Sequence, residues 1–392
     1  MFDFIKHTSV LSTLNYFYLF IIEKKTPLNS QSFIEILFYA SGILSIGYLL
    51  FMAITLASYK QSSSATTNEG VSIVIAAHNE YENLRAFLPA ILNQSYPVFE
   101  VIVACDRCTD GSVAFLKSLH HPALRIIEID TISESIQPKK AALTQAIRSA
   151  KYPWILATDA DCYPTSDQWI TEMMQARNNK QISLGISLYE PKPGYLNAFI
   201  RFETILTALQ YSAWAILGSP YMAVGRNLLY AKELFINNNG FGKYAAHLGG
   251  DDDLFVQNIA TNNNTSVSSN PASFTLSKPA EGYRQWWKQK HRHLHAGKQY
   301  PFSTLLGLSI YPISSALFHF LCIYCLFTLN FVPILVFYIL RTCIFISIFA
   351  RIGYKWGTNP SVFYLAITEI VYLIYLLFAG IYNLAVPIKK WK

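Results

Sequence analysis

Apolar residues divide the chain into membrane-like segments and a domain-like segment. Residues 32–57 and 303–387 are almost free of charge, whereas the residues between them alternate apolar and charged positions as a water-exposed fold does. Because a helix needs about 20 apolar residues to cross a bilayer, the first stretch predicts one membrane helix and the second predicts two or three. We therefore expect an N-terminal membrane region (1–60), a folded domain (70–297) and a C-terminal membrane region (303–392).

Two further apolar segments leave alternatives open. Residues 8–22 are short for a membrane span, and no small-residue cleavage site follows them, which favours an interfacial or partly inserted helix over a signal peptide. Residues 195–217 are aromatic and aliphatic with few charges. They predict either a core helix or an amphipathic helix that lies at the bilayer surface.

Short apolar runs alternate with helical spacing inside the folded domain. Strands are predicted at 71–77, 99–104, 124–129 and 154–158, and helices between them at about 80–93, 109–119 and 139–150. This alternation is typical of βαβ units and predicts an α/β fold with a Rossmann-like, mostly parallel sheet. Ligands of such sheets bind at the carboxyl ends of the strands, here 76–80, 105–110 and 159–161.

The lysines and arginines beside the apolar stretches predict the membrane orientation. Arg351 and Lys355 follow the second of three C-terminal stretches (303–327, 331–350 and 361–387) and favour a cytoplasmic loop there. A third full crossing would place the lysines of 389–392 outside, against this preference. We therefore expect one stretch to be re-entrant or interfacial. The second stretch is the first candidate for such a segment because it contains Arg341. The last stretch, which contains Glu369, is the next candidate.

Composition agrees with a membrane protein whose folded domain is cytoplasmic. Apolar residues make up 52% of the chain, above the roughly 45–50% of soluble proteins. The net charge of +7 is modest, and the sequence contains no nucleic-acid-binding motif, so we expect no nucleic-acid partner. The six cysteines do not resemble a disulfide framework, which fits a reducing compartment. We expect a multi-pass protein of the cell (inner) membrane.

Two carboxylates follow the fourth predicted strand, in Asp159-Ala160-Asp161. Two such groups repel each other unless a cation lies between them. Hard divalent ions take oxygen ligands and commonly bridge carboxylates to substrate phosphates. The motif therefore predicts a metal site, and the alternative is an acidic loop that caps the helix near Asp167.

A second acidic turn, Cys105 to Gly111, follows the second strand. Asp106 has the chemistry to accept a hydrogen bond from a nucleobase edge, whereas Asp110 or Thr109 fits a helix cap. Cys105 and Cys108 also have the minimal spacing of a zinc or redox pair, with the histidines of 291–295 as further candidate ligands.

Two more segments near the end of the domain contain candidate catalytic residues. Gly249 to Leu254 places three consecutive acids before a helix; they either cap it or include a general base for a sugar hydroxyl. The segment from Trp286 to His293 precedes the membrane stretches. Its tryptophans and Arg292 are either interface anchors or part of a lid in which Arg292 meets a leaving diphosphate.

Taken in order along the chain, these motifs resemble those of the family 2 glycosyltransferases. The similarity is to the membrane-embedded branch, which includes the poly-N-acetylglucosamine, hyaluronan and cellulose synthases. It covers residues 70–297 and the arrangement of membrane segments around them. The matched segments are 76–80, 105–111, 138–143, 159–161, 250–254 and 289–293. The resemblance implies a GT-A-like fold, a nucleotide-sugar donor and a divalent cofactor, Mg2+ or Mn2+.

The resemblance also implies donor-side roles for individual residues. The donor-binding positions are Ala76, Glu80, Asp106, Lys139 and Asp159. Asp161, the second acid of the Asp-x-Asp motif, would hold the metal. Lys140 is the alternative to Lys139. Cys105 and Cys108 replace the family's first Asp and its Ser, which leaves base recognition to Asp106.

On the acceptor side, the resemblance makes Asp251 the catalytic base. Asp252 is the alternative, because the family's Glu before this acid is absent. Gln289 and Arg292 match the Gln-x-x-Arg-Trp motif, in which the arginine meets the leaving diphosphate. His293 replaces the tryptophan that contacts the acceptor in the synthases, and we place Trp287 with it on the acceptor side.

The implied reaction transfers a sugar from a nucleotide sugar to a lipid-linked or glycan acceptor, with inversion at the anomeric carbon. A UDP-sugar is the favoured donor. The membrane segments would present the acceptor or guide a glycan out. The alternative is a membrane protein that binds a nucleotide sugar, as a scaffold, without turnover. The changed residues before Asp251 and at His293 motivate it.

Overall fold

The computed structural model describes residues 30–61, 68–131, 135–358 and 360–386; the predicted helix at 8–22 lies outside them. The strands are β1 (Val71–Ala77), β2 (Phe99–Asp106), β3 (Leu124–Ile129), β4 (Trp154–Ala157), β5 (Cys162–Pro164), β6 (Ile182–Leu184), β7 (Ser187–Tyr189), β8 (Leu228–Ala231), β9 (Thr265–Val267) and β10 (Thr275–Ser277). The α-helices are α1 (Ser30–Ser58), α2 (Tyr81–Leu92), α3 (Ser112–Ser118), α4 (Pro138–Ser149), α5 (Trp169–Ala176), α6 (Tyr195–Ile216), α7 (Lys232–Asn237), α8 (Asp253–Ile259), α9 (Tyr283–Gly297), α10 (Phe302–Thr328), α11 (Phe331–Lys355) and α12 (Val362–Ala385).

A seven-stranded sheet forms the centre of the folded domain. Its order is β3-β2-β1-β4-β8-β6-β9. The first four strands are parallel, and β8 runs antiparallel to both of its neighbours. Six of the seven residues of β1 are buried, as expected where a parallel sheet is covered on both faces. The predicted α/β class with a mostly parallel sheet is confirmed.

A small second sheet has the order β5-β10-β7. It lies in the chain between helix α9 and Asp159-Ala160-Asp161, the motif that the sequence predicts to hold a metal and that is called the metal motif below. Strand β5 begins at Cys162, directly after the Asp-x-Asp motif, and pairs with β10. The amide of Lys278 donates to the carbonyl oxygen of Asp161 over 3.3 Å. Helix α9 begins five residues later, at Tyr283. The small sheet therefore keeps the start of α9 close to the metal motif.

Four helices are long and apolar enough to cross a membrane, namely α1, α10, α11 and α12 up to Asn383. Helix α6 lies between them and the sheet. Its Phe202 packs against Phe345 and Phe349 of α11, and its Tyr211 hydroxyl donates to the Gly185 carbonyl beside β6 over 2.7 Å. The apolar character of 195–217 is thus explained by burial on both sides, as a core helix that joins the domain to the membrane helices.

Candidate functional site

The metal motif lies at the carboxyl edge of the sheet, directly after β4. Ligand atoms of Asp159, Asp161 and Cys162 all lie within 4.8 Å of one another. Burial, and then the Asp159 carboxylate, raise the pKa of Asp161, because two adjacent anions in a buried position repel each other. Burial also raises the pKa of the Cys162 thiol well above its usual value. The donor set is therefore two carboxylates beside a protonated thiol, which fits a hard, oxygen-preferring cation.

Lys139 connects this motif to the acids before α8. Its Nζ lies 2.8 Å from Asp159 Oδ1 and 2.8 Å from Asp251 Oδ2. Burial acts to lower the pKa of Lys139, but the two carboxylates outweigh it and raise this pKa well above its usual value. The lysine stands at the start of α4, where the sequence carries a pair of lysines. Its neighbour Lys140 points away and donates to the carbonyls of Tyr244 and His247.

The three acids before α8 have different surroundings. Asp251 faces Lys139; burial acts to raise the pKa of Asp251, but the lysine lowers it on balance. The carboxylate of Asp252 accepts the amides of Gly225 and Asp253, at 2.7 and 2.8 Å, and caps α8. Burial, then its two acidic neighbours, raise the pKa of Asp252 to about 8. Asp251 is therefore the ionised acid that faces the metal motif.

The glycine pair before these acids makes their placement possible. Gly250 has φ 78°, and a Cβ on it would lie 2.5 Å from Leu254 Cδ1. A side chain there would be strained by the backbone and would collide with α8. The Gly249-Gly250 turn thus lets the chain enter α8 with Asp251 directed toward Lys139.

The predicted base-recognition acid, Asp106, ends β2 and is 4% exposed. Its carboxylate accepts two hydrogen bonds from the guanidinium of Arg107, at 2.7 and 3.0 Å, and His78 Nδ1 lies 2.6 Å from its carbonyl oxygen. Asp110 fits the cap alternative, because its carboxylate accepts the amides of Tyr81 and Ser112. It thereby joins the starts of α2 and α3.

Ala76 and Glu80 also lie at this edge. Ala76 is the second-last residue of β1 and pairs with Ala104 of β2. Glu80 accepts a hydrogen bond from Asn83. Burial raises the pKa of Glu80, and the charges of Asp161 and Asp159 add to this effect. Glu80 thus faces the metal motif across the strand ends.

The zinc alternative finds no support in this geometry. Cys105 is buried and burial raises its pKa to about 12, while the thiol of Cys108 contacts the backbone of Ala77 and Asn79. Among the described residues, the group of three or more metal-ligating side chains includes neither cysteine.

Helix α9 presents three predicted residues to the site. Gln289 Nε2 donates to the Tyr189 hydroxyl over 3.0 Å. Burial lowers the pKa of Arg292, while the charges of Asp251 and Asp159 act in the opposite direction, so the guanidinium is within electrostatic reach of both acids.

His293 lies on the same side of α9 as Gln289 and Arg292. The residue is partly exposed to solvent, and cationic side chains lie near its imidazole. Burial, then the charges of Lys290, Arg292 and Arg226, hold the pKa of His293 well below its usual value. The imidazole is therefore neutral and able to accept a hydrogen bond.

Trp287, the other predicted acceptor residue, is not brought to this side of α9. It packs against Tyr375 and Tyr382 of α12, with ring centroids 6.2 and 5.2 Å apart. Arg292 follows it by five positions, and at 100° per residue this offset places the two side chains about 140° apart around the helix. The sequence left two roles open for this tryptophan, an interface anchor or part of a lid. Its contacts agree with the anchor.

Arg226 belongs to the site but was not predicted from the sequence. Its guanidinium stacks over the Tyr189 ring at 4.5 Å. Burial acts to lower the pKa of Arg226, but Tyr189, Cys162 and then the two metal-motif acids raise it. Its Nη1 is buried and has no hydrogen-bond partner within the described part of the chain. A sequence signal exists, because Arg226 is the single charged residue between Glu203 and Lys232.

Comparison with known proteins matches the first part of the folded domain to a family. The Glycosyl transferase family 2 model matches residues 72–211. Poly-beta-1,6-N-acetyl-D-glucosamine synthase from Staphylococcus epidermidis is 28% identical over 96 residues, which are 24% of this chain and 22% of that relative. The chain thus matches about a fifth of that relative's length.

The fold is also that of a solved glycosyltransferase. The mannosyltransferase PcManGT from Pyrobaculum calidifontis, solved in complex with GDP-Man and Mn2+, superposes with a TM-score of 0.56 at 18% identity, over 87% of this chain and 99% of that one. At this identity the likeness concerns the fold. Residues 72–211 thus form a family 2 glycosyltransferase domain on a GT-A-like fold, which confirms the family, the fold class and the enzyme class predicted from the motifs.

Proposed function

We propose that the chain is a membrane-bound transferase that moves a sugar from a nucleotide sugar to a hydroxyl of a lipid-linked or glycan acceptor. The observation that supports this most is the pairing of Asp251 with Lys139, 2.8 Å apart, beside the metal motif. An ionised carboxylate at this position can take a proton, and a lysine beside it can meet a phosphate. A UDP-sugar is the first donor to test.

In the proposed step, the acceptor oxygen attacks the anomeric carbon from the face opposite the leaving group. The bond between that carbon and the diphosphate oxygen breaks, and its electron pair leaves with the nucleoside diphosphate. The acceptor proton passes to Asp251 as the new bond forms, which is general base catalysis. One displacement of this kind inverts the anomeric centre. The neutral imidazole of His293 would accept a hydrogen bond from the acceptor.

The donor charge would be balanced by residues around the metal motif. Asp161, with Asp159 beside it, would hold Mg2+ or Mn2+, and such an ion supplies charge neutralisation to the diphosphate when bound. Lys139, Arg292 and Arg226 are the cations within reach of the same acids. Mn2+ and GDP-Man in the PcManGT complex agree with this proposal. Asp106, Ala76 and Glu80 would line the nucleoside side.

We infer a multi-pass protein of the cell (inner) membrane with the site on the cytoplasmic face. The domain is joined to the apolar helices through α6 and α9, so an acceptor with a lipid anchor would reach the site without leaving the membrane. Nucleotide sugars are supplied in the cytoplasm, and Arg351 and Lys355 mark the same side.

The experiment is nucleoside diphosphate release by purified protein with a panel of nucleotide sugars, Mg2+ or Mn2+, and bacterial lipid extract. We expect release with one donor and loss of release in Asp251→Asn. No release with any donor, or full release by Asp251→Asn, would refute the proposal. Donor binding without release would instead support the scaffold alternative.

A further inference from the structure

Helix α12 starts beside the folded domain. Trp356, directly after α11, packs edge-on against Phe274 next to β10, with ring centroids 5.8 Å apart. Tyr364, in the first turn of α12, packs against Tyr195 at the start of α6, at 5.6 Å. The N-terminal end of α12 therefore lies at the surface of the domain that contains the candidate site.

Helix α12 also ends beside the same domain. Lys298, directly after α9, donates to the carbonyl of Asn383 over 2.6 Å. The Asn383 amide donates to the carbonyl of Leu294 in α9 over 3.2 Å. His291 Nε2 lies 3.2 Å from the carbonyl oxygen of Val386. These contacts hold the last turn of α12 against α9.

The middle of α12 remains in contact with the domain between these two ends. Tyr372 and Tyr375 pack against Phe199 of α6, with centroids 6.4 and 5.7 Å apart. Tyr375 also packs against Trp286 of α9, at 5.1 Å. The 24 residues of α12 extend about 36 Å. A helix that crossed a hydrocarbon core of about 30 Å would leave the domain after its first turns, and α12 does not.

We propose that α12 does not cross the membrane but lies along the domain, with both ends on the side of the candidate site. One of its faces packs on α6 and α9, and the other contacts the acyl chains of the adjacent leaflet. The second face carries a stripe of apolar side chains that are 48–74% exposed. Its members are Phe363, Ile367, Ile374, Leu377, Phe378 and Ile381. Its spacing is that of one helix face.

Three C-terminal crossings would conflict with the preference of positively charged segments for the cytoplasmic side, and this arrangement removes that conflict. With three crossings by α1, α10 and α11, the C-terminal end of α12 lies on the same side as Arg351 and Lys355. The lysines of 389–392 follow this end in the sequence, so the charge pattern agrees with the preference of positively charged loops. The second apolar stretch crosses, since Arg341 is buried and paired with Glu369 of α12. The last stretch is the interfacial one.

The arrangement also gives α12 a role at α9. Trp287 and His291 face α12, whereas Gln289, Arg292 and His293 face the site. Helix α12 therefore packs on the side of α9 that faces away from the site, and this packing sets the position of Arg292. Without α12, that side of α9 would contact lipid alone.

The test is the side on which the C-terminus lies, and it does not depend on the proposed reaction. A protease-cleavable epitope tag is appended after Lys392 of the full chain, and protease is added to membrane vesicles of each orientation. One control tag is inserted in the exposed Asn178–Asn179 turn of the domain, and another between Leu329 and Asn330, the loop between α10 and α11.

We expect the C-terminal tag to be cut in the same vesicles as the Asn178–Asn179 tag. Cutting in the vesicles that expose the 329–330 tag would overturn the proposal, because α12 would then cross. Should the 329–330 insertion prevent folding, Asn330→Cys labelled with an impermeant maleimide marks the same side without an insertion.

Discussion

Lys139 Nζ lies 2.8 Å from a carboxylate oxygen of Asp251, and the same nitrogen lies 2.8 Å from Asp159. One cation thus neutralises both the acid proposed as base and the first acid of the metal motif. Without a donor, the lysine keeps these two anions together in a partly buried cleft. With a donor present, its ammonium is placed to meet the diphosphate, which would release Asp251 toward the acceptor.

Replacing this lysine by an uncharged residue of similar length tests its role. Lys139→Met removes a charge-assisted hydrogen bond of about 1.5–3 kcal/mol, so we expect kcat/KM for the donor to fall by about 10- to 150-fold. Isothermal titration with the nucleoside diphosphate should show the same loss in binding.

Lys140→Met is the matched control for this variant. Lys140 bonds to the carbonyls of Tyr244 and His247, and leaving these acceptors unsatisfied costs about 1–3 kcal/mol each. We expect a lower Tm with nearly unchanged donor KM. The reverse pattern, with KM affected by Lys140→Met alone, would exchange the roles of the two lysines.

Much of this edge of the sheet could be predicted because the signal is local. β4 and the Asp-x-Asp turn follow from an uninterrupted apolar run that ends in polar residues, and a parallel sheet brings such strand ends together. Arg226 could not be placed this way. It stacks on Tyr189, 37 positions earlier, and lies near the acids of the metal motif. This happens because the chain brings the residues before β8 beside the small sheet, and no periodicity in the sequence predicts that placement.

Two other outcomes differ in whether the sequence could have decided them. The choice between Asp251 and Asp252 depends on which carboxylate meets Gly225 and which meets Lys139, a property of the folded loop alone. The position of Trp287, in contrast, was within reach of the sequence. Its five-residue offset from Arg292 places the two on different faces of any α-helix.

Arg226 provides the second prediction. Arg226→Lys retains a positive charge but loses the planar stacking on Tyr189, since a lysine lacks the flat guanidinium. We expect weaker donor binding, by about 10-fold, in line with a lost cation–π contact of up to about 2 kcal/mol at a desolvated site. Measurement is by donor KM and by nucleoside diphosphate titration.

Arg177→Lys is the matched control for Arg226, since Arg177 also stacks on an aromatic ring, at 4.2 Å from the centroid of Trp154. It pairs with Glu69, away from the candidate site. This variant should lower Tm while leaving donor KM unchanged. Equal KM effects in both variants would indicate a general loss of folding rather than a local role of Arg226.

The third prediction concerns pH and Asp252. Folding raises the pKa of Asp252 from 3.8 to about 8, so its protonated form is favoured in the folded state. The stability that this group contributes is complete below pH 3.8 and is lost as pH rises toward 8. Asn at this position does not titrate. The Tm of Asp252→Asn should therefore rise relative to the wild-type Tm between about pH 4 and pH 8 and level off above.

Asp251→Asn should show the opposite trend. Lys139 lowers the pKa of Asp251 on balance, so the wild-type carboxylate stabilises the fold above its unfolded pKa and loses this effect in acid. The deficit of Asp251→Asn should shrink as pH falls below about 4. The two variants together separate titration from any constant effect of the new amide, because only the slopes with pH are compared. Parallel slopes would contradict the assignment of the ionised acid.

The last prediction concerns the buried pair between α11 and α12. The guanidinium of Arg341 pairs with the carboxylate of Glu369 and donates to the hydroxyls of Ser45 and Ser315. Glu369 also accepts the Tyr311 hydroxyl over 2.9 Å. One cluster thus joins α1, α10, α11 and α12. Removing one partner of such a pair leaves an uncompensated charge and costs about 3–5 kcal/mol, whereas removing both is often far less harmful.

Glu369→Met and Arg341→Met should therefore each lower the Tm in detergent strongly, and the double variant should recover much of the loss. The interaction is read from the double-mutant cycle, in which the double variant is more stable than the sum of the single effects predicts. Ser314→Ala, a neighbouring buried serine that bonds within its own helix, is the control and should change Tm little. Because the pair fastens α12 to α1, α10 and α11, single variants should also weaken the support of α9, and kcat should fall with Tm. Additive losses in the double variant would instead mean that α12 is held by its aromatic contacts with α6 and α9 alone.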